Sequence, residues 1–163
     1  MVKLVKESLE QRFTRGSDNK ISSLNIGLRV QIIKWLEDEK ITHWKINDDN
    51  TIDVACEVDF STSHETKNFP KYIQFNSIEG FFDCSFRKMT SLKGCPRYVL
   101  GYFSCTHNDL DYDSIEDFPK HVMSTIYVGN NKFSPEDILI LKDKYPNSNV
   151  DGENLQNKET FGW

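Results

Sequence analysis

The stretch that most constrains the fold runs from Leu100 to Leu110. Apolar side chains stand at Leu100, Phe103, Cys105 and Leu110, with asparagine at Asn108, a spacing written LxxLxLxxNxL. The spacing returns at Met123, Ile126, Val128, Asn131 and Phe133, and in altered form at Glu79, Phe82, Cys84, Arg87 and Met89. Equivalent strand positions lie 21 and then 23 residues apart. One such turn cannot bury its own apolar side, so successive turns are expected to stack, Phe82 on Phe103 on Ile126 and Cys84 on Cys105 on Val128. At the bend, Asn108 and Asn131 offer inward amides that can satisfy backbone groups otherwise buried unpaired. Arg87 breaks this rule in the first copy.

The spacing is that of leucine-rich repeats. A second recurring feature is Phe69–Ile73, Cys95–Val99 and Phe118–Val122: an apolar residue, proline, a basic residue, an aromatic or histidine, and a β-branched residue. Proline lacks an N–H and holds itself and its predecessor extended. These segments are therefore expected on the outer side of each turn, away from any hydrogen-bonded ladder. The two extra residues of the last interval fit between Leu110 and Ile115.

Around the repeats, Val2–Phe13 reads as a short amphipathic helix with Val5, Leu9 and Phe13 on one face. Leu24–Glu39 reads as a second helix, with Leu28, Ile32, Trp35 and Leu36 forming its apolar face. Ile41–Ile46 and Thr51–Val54 flank the turn Asn47–Asn50 as a β-hairpin. Val58 and Phe60 alternate as in a strand, and residues 61–68 read as a polar loop. An open stack needs covers. Ser134, Pro135 and Asp137 mark the start of a C-terminal capping helix, which Pro146 ends. The expected fold is α+β: N-terminal helices and hairpin over 1–54, a short leucine-rich-repeat-like solenoid over 55–133, a capping helix over 134–146 and a loosely held tail over 147–163.

Composition narrows the function. The chain has 163 residues, 37% hydrophobic and 28% charged, as in an ordinary soluble protein. No apolar run is long enough to span a membrane, and the first residues lack the apolar core of a signal peptide, so no membrane partner is expected. Residues 1–45 hold nine Lys and Arg against six Asp and Glu, net +3; the remainder holds eleven against nineteen, net −8. An acidic repeat region argues against nucleic-acid binding, which needs clustered cations. The four cysteines are Cys56, Cys84, Cys95 and Cys105, two of them at equivalent core positions, which reads as packed thiols in a cytoplasmic protein.

The segment from Gly80 through Met89 and Cys95 to Cys105 resembles a group of bacteriophage proteins whose repeats run GxFxCSxNxLTSLxGCPxxVxG behind a helical N-terminal segment. The likeness covers about residues 76–133; Tyr112–Pro119 departs from it. The resemblance implies a phage-encoded accessory protein working in the host cytoplasm, with no catalytic chemistry to carry over.

Three constellations carry residue types that could support chemistry. Cys84, Cys95, Cys105 and His107 hold the ligand types of zinc but lack a CxxC spacing. Cys105 with His107 is a nucleophile–base pair in composition only, with no identifiable oxyanion hole. Asp109, Asp111, Asp113, Glu116 and Asp117 form an acidic run, read first as solvated surface. No catalytic residue, metal or cofactor is expected. The better signal is what remains once the core is assigned: Phe81, Asp83 and Ser85, then Tyr102, Ser104 and Thr106, then Thr125 and Tyr127, with Phe86 and His107 just beyond. Aromatics beside short polar residues compose protein-binding surfaces; the competing reading is that Phe81 and Tyr102 pack on each other. From sequence the expected function is non-catalytic binding of a host protein, such as a defence enzyme or toxin, through Phe81, Asp83, Phe86, Tyr102, Ser104, His107, Thr125 and Tyr127. The alternatives are an enzyme or a nucleotide or small-ligand sensor using a cleft between the N-terminal part and the repeats, and a virion assembly or structural role.

Overall fold

A computed structural model describes residues 23–62 and 68–153. The expected helix over Val2–Phe13, part of the 61–68 loop and the last ten residues of the tail lie outside them.

The N-terminal elements follow their local chemistry. Helix α1 spans Ser23–Asp38, one residue from the expected limits, and buries Ile32, Trp35 and Leu36. Strands β1 (Trp44–Ile46) and β2 (Ile52–Val54) form the expected antiparallel hairpin, with Lys45 opposite Asp53. Its turn is held by Asp49, whose carboxylate accepts from the Thr51 N–H and hydroxyl.

From there the chain passes alternately between two sheets. Strands β3 (Val58–Asp59), β5 (Phe82–Asp83), β7 (Phe103–Ser104) and β9 (Ile126–Tyr127) pair in parallel with β10 (Val150–Asp151) in the order β10-β9-β7-β5-β3. Strands β4 (Phe75–Ile78), β6 (Tyr98–Val99) and β8 (His121–Val122) extend the hairpin into the order β1-β2-β4-β6-β8. The molecule is mixed α/β, with two parallel-rich sheets and few helices. Phe82, Phe103 and Ile126 are register partners, and each is fully buried. Phe82 and Phe103 stack at 5.9 Å and 4°.

The sequence expectation needs correction at the proline segments. They lead directly into a ladder: Tyr98 pairs with His121 and Val99 with Val122. Proline is tolerated because it stands before the paired residues, where no N–H is required. The first segment is also out of register. Val99 pairs with Ile78, not with Ile73 of the matching Phe69–Ile73, so that likeness is displaced by five residues.

Asparagines at the bends act as expected. Asn108 Oδ1 accepts from the Arg87 and Met89 N–H groups at 3.0 and 2.9 Å, and its amide nitrogen donates to the Cys84 and Cys105 carbonyls at 3.0 Å. One side chain thus ties two successive turns. Asn131 repeats this toward Leu110, Cys105 and Val128. Arg87, at the equivalent place in the first copy, is 4% exposed and sets its guanidinium over the Phe60 ring at 4.9 Å. The two extra residues of the last interval are absorbed by a 3-10 helix over Tyr112–Asp117, capped by Asp111.

Both ends of the core are covered. Trp35 of α1 packs on Phe60, Phe69 and Phe75 with ring centroids 5.9–6.1 Å apart. At the other end, helix α2 (Pro135–Lys144) starts in a reciprocal cap between Ser134 and Asp137. The residues that close α2 satisfy carbonyls of the last turn: Lys144 Nζ donates to Ile115, Tyr145 Oη to Pro119 and Ser148 Oγ to Val122. The chain then re-enters the sheet as β10, with Val150 5% exposed, so the first part of the expected loose tail is structural.

Candidate functional site

The outward side of the β10-β9-β7-β5-β3 sheet carries most of the residues singled out from sequence. Because side chains alternate along a strand, burying Phe82, Phe103 and Ile126 turns their neighbours outward. Phe81 and Tyr102 stack at 4.6 Å with planes 2° apart, and Tyr102 meets Tyr127 edge-on at 5.7 Å. The rings therefore do pack on one another, and they do so at the surface: Phe81 and Tyr102 are half-buried and Tyr127 is 37% exposed. They form a fixed row across three strands.

Two residues further along the strands, register aligns Asp59, Asp83, Ser104, Tyr127 and Asp151, so Tyr127 reaches Tyr102 diagonally from a line that is otherwise polar. Ser104 departs from its expected role. It is only 6% exposed, and its hydroxyl pairs with Ser85 Oγ at 2.7 Å, which in turn accepts from Thr106 Oγ1 at 3.1 Å. These short hydroxyls floor the face rather than present themselves. Thr125 is half-buried at the edge of the ring row, its carbonyl accepting from Phe103 N–H.

Phe86 and His107 sit one bend further on. Phe86, His107 and Asn130 occupy equivalent bend positions, and all three have left-handed backbone, φ of 61°, 53° and 56°. That conformation is uncommon for a bulky residue, so its recurrence marks a bend held by its neighbours. The Phe86 ring lies on His107 at 4.1 Å, and His107 Nε2 is 3.1 Å from the Asn130 amide. Phe86 is 57% exposed.

Two residues of the face were not selected from sequence. Asp59 could have been found by alternation from Val58; Asp151 could not, because nothing in Asn149–Gly152 announces a strand. Both Asp59 and Asp83 accept, through Oδ1, from the N–H two residues on, Ser61 at 2.8 Å and Ser85 at 2.9 Å. Burial raises the Tyr102 hydroxyl pKa, with further contributions from the Asp83 and Asp59 charges and from Tyr127.

The thiols lie elsewhere. Cys84, Cys95 and Cys105 are buried between the sheets, and Cys84 and Cys105 donate to the Ser104 and Tyr127 carbonyls. Burial pushes the Cys95 and Cys105 thiols well above their ordinary range, which disfavours thiolate. His107 is engaged with Phe86 and Asn130 instead. Among the described residues no group of three or more His, Cys, Asp and Glu is placed to hold a metal ion. Within the acidic run, Asp111 caps the 3-10 helix and Asp109 lies 3.7 Å from Lys132. An open groove of about 650 Å³ runs between turns, bordered by Lys71, Lys93, Arg97, Lys120, Glu116 and Asp117. No helix among the described residues is long and apolar enough to cross a membrane.

The class that fold and site define is a mixed α/β protein with two parallel-rich sheets, one of which displays a fixed row of rings. No protein family matches the chain, and neither a curated protein nor a solved structure matches it.

Proposed function

We propose that the chain is a non-catalytic binding protein: a leucine-rich-repeat-like solenoid of a phage accessory kind, acting in the host cytoplasm, where it holds a host defence enzyme or toxin on the outward face of its ring-bearing sheet. The observation that carries this reading is the Phe81–Tyr102–Tyr127 row, locked ring on ring yet open to solvent. The core is complete without these side chains, since the interior column is Phe82, Phe103 and Ile126. Rings already fixed in place lose little freedom on binding, and aromatic anchors carry much of the energy of protein interfaces.

The test is a photo-crosslinking residue placed at Tyr127, with Tyr112 on the 3-10 helix as the control position, in bacteria infected by the source phage. A discrete polypeptide adduct from position 127 and none from 112 supports the reading. Equal labelling from both positions, or none from 127, removes it.

A second reading rests on the groove near Lys71, Lys93, Arg97 and Lys120, whose cations suit a small anionic ligand. A nucleotide that raises the unfolding temperature of the wild type but not of the Arg97→Ala variant would favour it.

A further inference from the structure

We propose that the segment this face accepts is cationic: a partner polypeptide that lays arginine or lysine side chains across the Phe81–Tyr102–Tyr127 rings and against Asp59 and Asp83. This rests on the face being a protein-binding surface and adds the chemistry of what it binds.

The charge of the face is one-sided. No lysine or arginine occurs in the five strands of this sheet or among the described residues within three positions of them, whereas Glu57, Asp59, Glu79, Asp83, Asp151 and Glu153 all do. The other sheet is unlike it. Its outward row mixes Lys45, Asp53, Ser77, Tyr98 and His121, and its carboxylate is occupied by Asn47, Asn76 and Ser77.

On the ring-bearing face, by contrast, Asp59 and Asp83 use Oδ1 to close their own turns. Their Oδ2 atoms make no hydrogen bond or ion pair among the described residues. The turn bonds hold each carboxylate in a set direction. An aromatic face is the negative side of a ring quadrupole; Phe81 and Tyr102 each cover one face of the other, so the rings left to meet a cation are the outer face of Phe81 and the 37% exposed Tyr127, beside the carboxylates. Arginine suits both at once, stacking its plane on a ring while its edge meets a carboxylate. An acidic partner would set like charge against Asp59 and Asp83, and a neutral one could offer them only uncharged donors, so a cationic segment is favoured over both.

The probe is a labelled synthetic peptide alternating Arg and Gly, with Glu–Gly and Ser–Gly peptides as counterparts, titrated with the full chain by fluorescence anisotropy. Wild type is expected to bind the Arg peptide alone, and less tightly as salt rises. Tyr127→Ala should weaken binding about tenfold, the size of a well-formed cation–ring contact. The paired change Asp59→Asn with Asp83→Asn should also weaken it about tenfold. Asparagine keeps the Oδ1 acceptor, so this variant tests charge in an intact fold. Tyr98→Ala on the other sheet should bind as wild type does. Failure to bind the Arg peptide, equal binding of the Glu peptide, or wild-type binding by both face variants would overturn the proposal. The two levels separate cleanly. A crosslinked partner whose bound segment is neutral or acidic sinks this inference and leaves the binding reading standing.

Discussion

At the scale of single residues, the asparagine at each bend matters more than its polar character suggests. Asn108 is 7% exposed and meets two N–H groups and two carbonyls with one side chain. Replacing it with alanine strands those buried backbone groups, each of which costs about 1–3 kcal/mol when left unmet. Asn108→Ala is therefore expected to lose about 3 kcal/mol or more, read as a lower urea midpoint at unchanged slope. Asn131→Ala should cost less, since Asn131 is half-buried and its oxygen receives one N–H. The role was legible because one short amide side chain can accept at its oxygen and donate two N–H bonds in fixed directions, which a bend with unpaired N–H and C=O groups needs. Arg87 was not legible: its partners, Phe60 and Phe69, are distant in sequence. A second residue-scale prediction concerns acid. Burial pushes the Asp53 carboxyl up, but hydrogen bonds from Ser77, Asn76 and Asn47 outweigh it and hold the pKa below the ordinary value. A depressed folded pKa gives stability that is present above the unfolded value, about 3.9, and lost as pH falls through the folded one. Wild type should thus lose stability on acidification more steeply than Asp53→Asn, followed by urea midpoints across the acid range.

At the scale of elements, the repeated strands β5, β7 and β9 of the ring-bearing sheet and the β1–β2 hairpin were legible, whereas β4, β6 and β8 of the other sheet were not. Phe82, Phe103 and Ile126 stand at fixed distances from Cys84, Cys105 and Val128 and from the bends at Arg87, Asn108 and Asn131, so spacing alone aligns them. Phe69–Ile73 looks like Cys95–Val99, yet Ile78 is the residue that meets Val99. Local likeness cannot see that five residues have slid past, because Ile73 and Ile78 are both buried and both β-branched. Strand β10 was hidden for a different reason: a two-residue strand with one apolar side chain has no period to detect. The corner glycines, by contrast, have a plain cause. A Cβ on Gly101 would lie 2.7 Å from the Phe81 nitrogen, and the Gly101 N–H donates to the Gly80 carbonyl at 2.9 Å. Gly101→Ala should cost about 1–3 kcal/mol, the usual penalty for forcing atoms into a filled site. Since the corner aims Phe81 and Tyr102, it should also disturb the face, seen as shifted ring resonances in NMR spectra. At the far end, Ser134→Ala removes one half of the reciprocal cap of α2 and is expected to cost about 1 kcal/mol.

At the scale of the whole molecule, the question is whether the helix and hairpin form a unit apart from the stacked turns. Sequence placed a boundary after Val54, where the repeats begin. The sheet crosses that point without a break: Val54 pairs with Trp44 on one side and with Ile78 on the other. The apolar interior is equally continuous, one cluster running from Ile32, Trp35 and Leu36 through Phe75, Phe82 and Phe103 to Leu141 and Val150. In a stack each turn is stabilised by its neighbours, so covers at the two ends act on the same equilibrium when the stack is short. Trp35→Ala opens the N-terminal end and should cost about 3–5 kcal/mol; Leu141→Ala opens the other and should cost about 2–5 kcal/mol. Against a typical total of about 5–15 kcal/mol, either is a large share. If the molecule is one cooperative body, both variants shift a single transition to lower urea, with far-UV circular dichroism and the NMR ring resonances of Tyr102 and Tyr127 moving together. If residues 23–54 fold as a separate unit, Trp35→Ala instead splits the transition, and the Tyr102 and Tyr127 resonances outlast the first loss of helix signal. A split curve for Trp35→Ala with a single one for Leu141→Ala would place a real boundary at the hairpin, and the continuous sheet would then be a docked contact between two folding units.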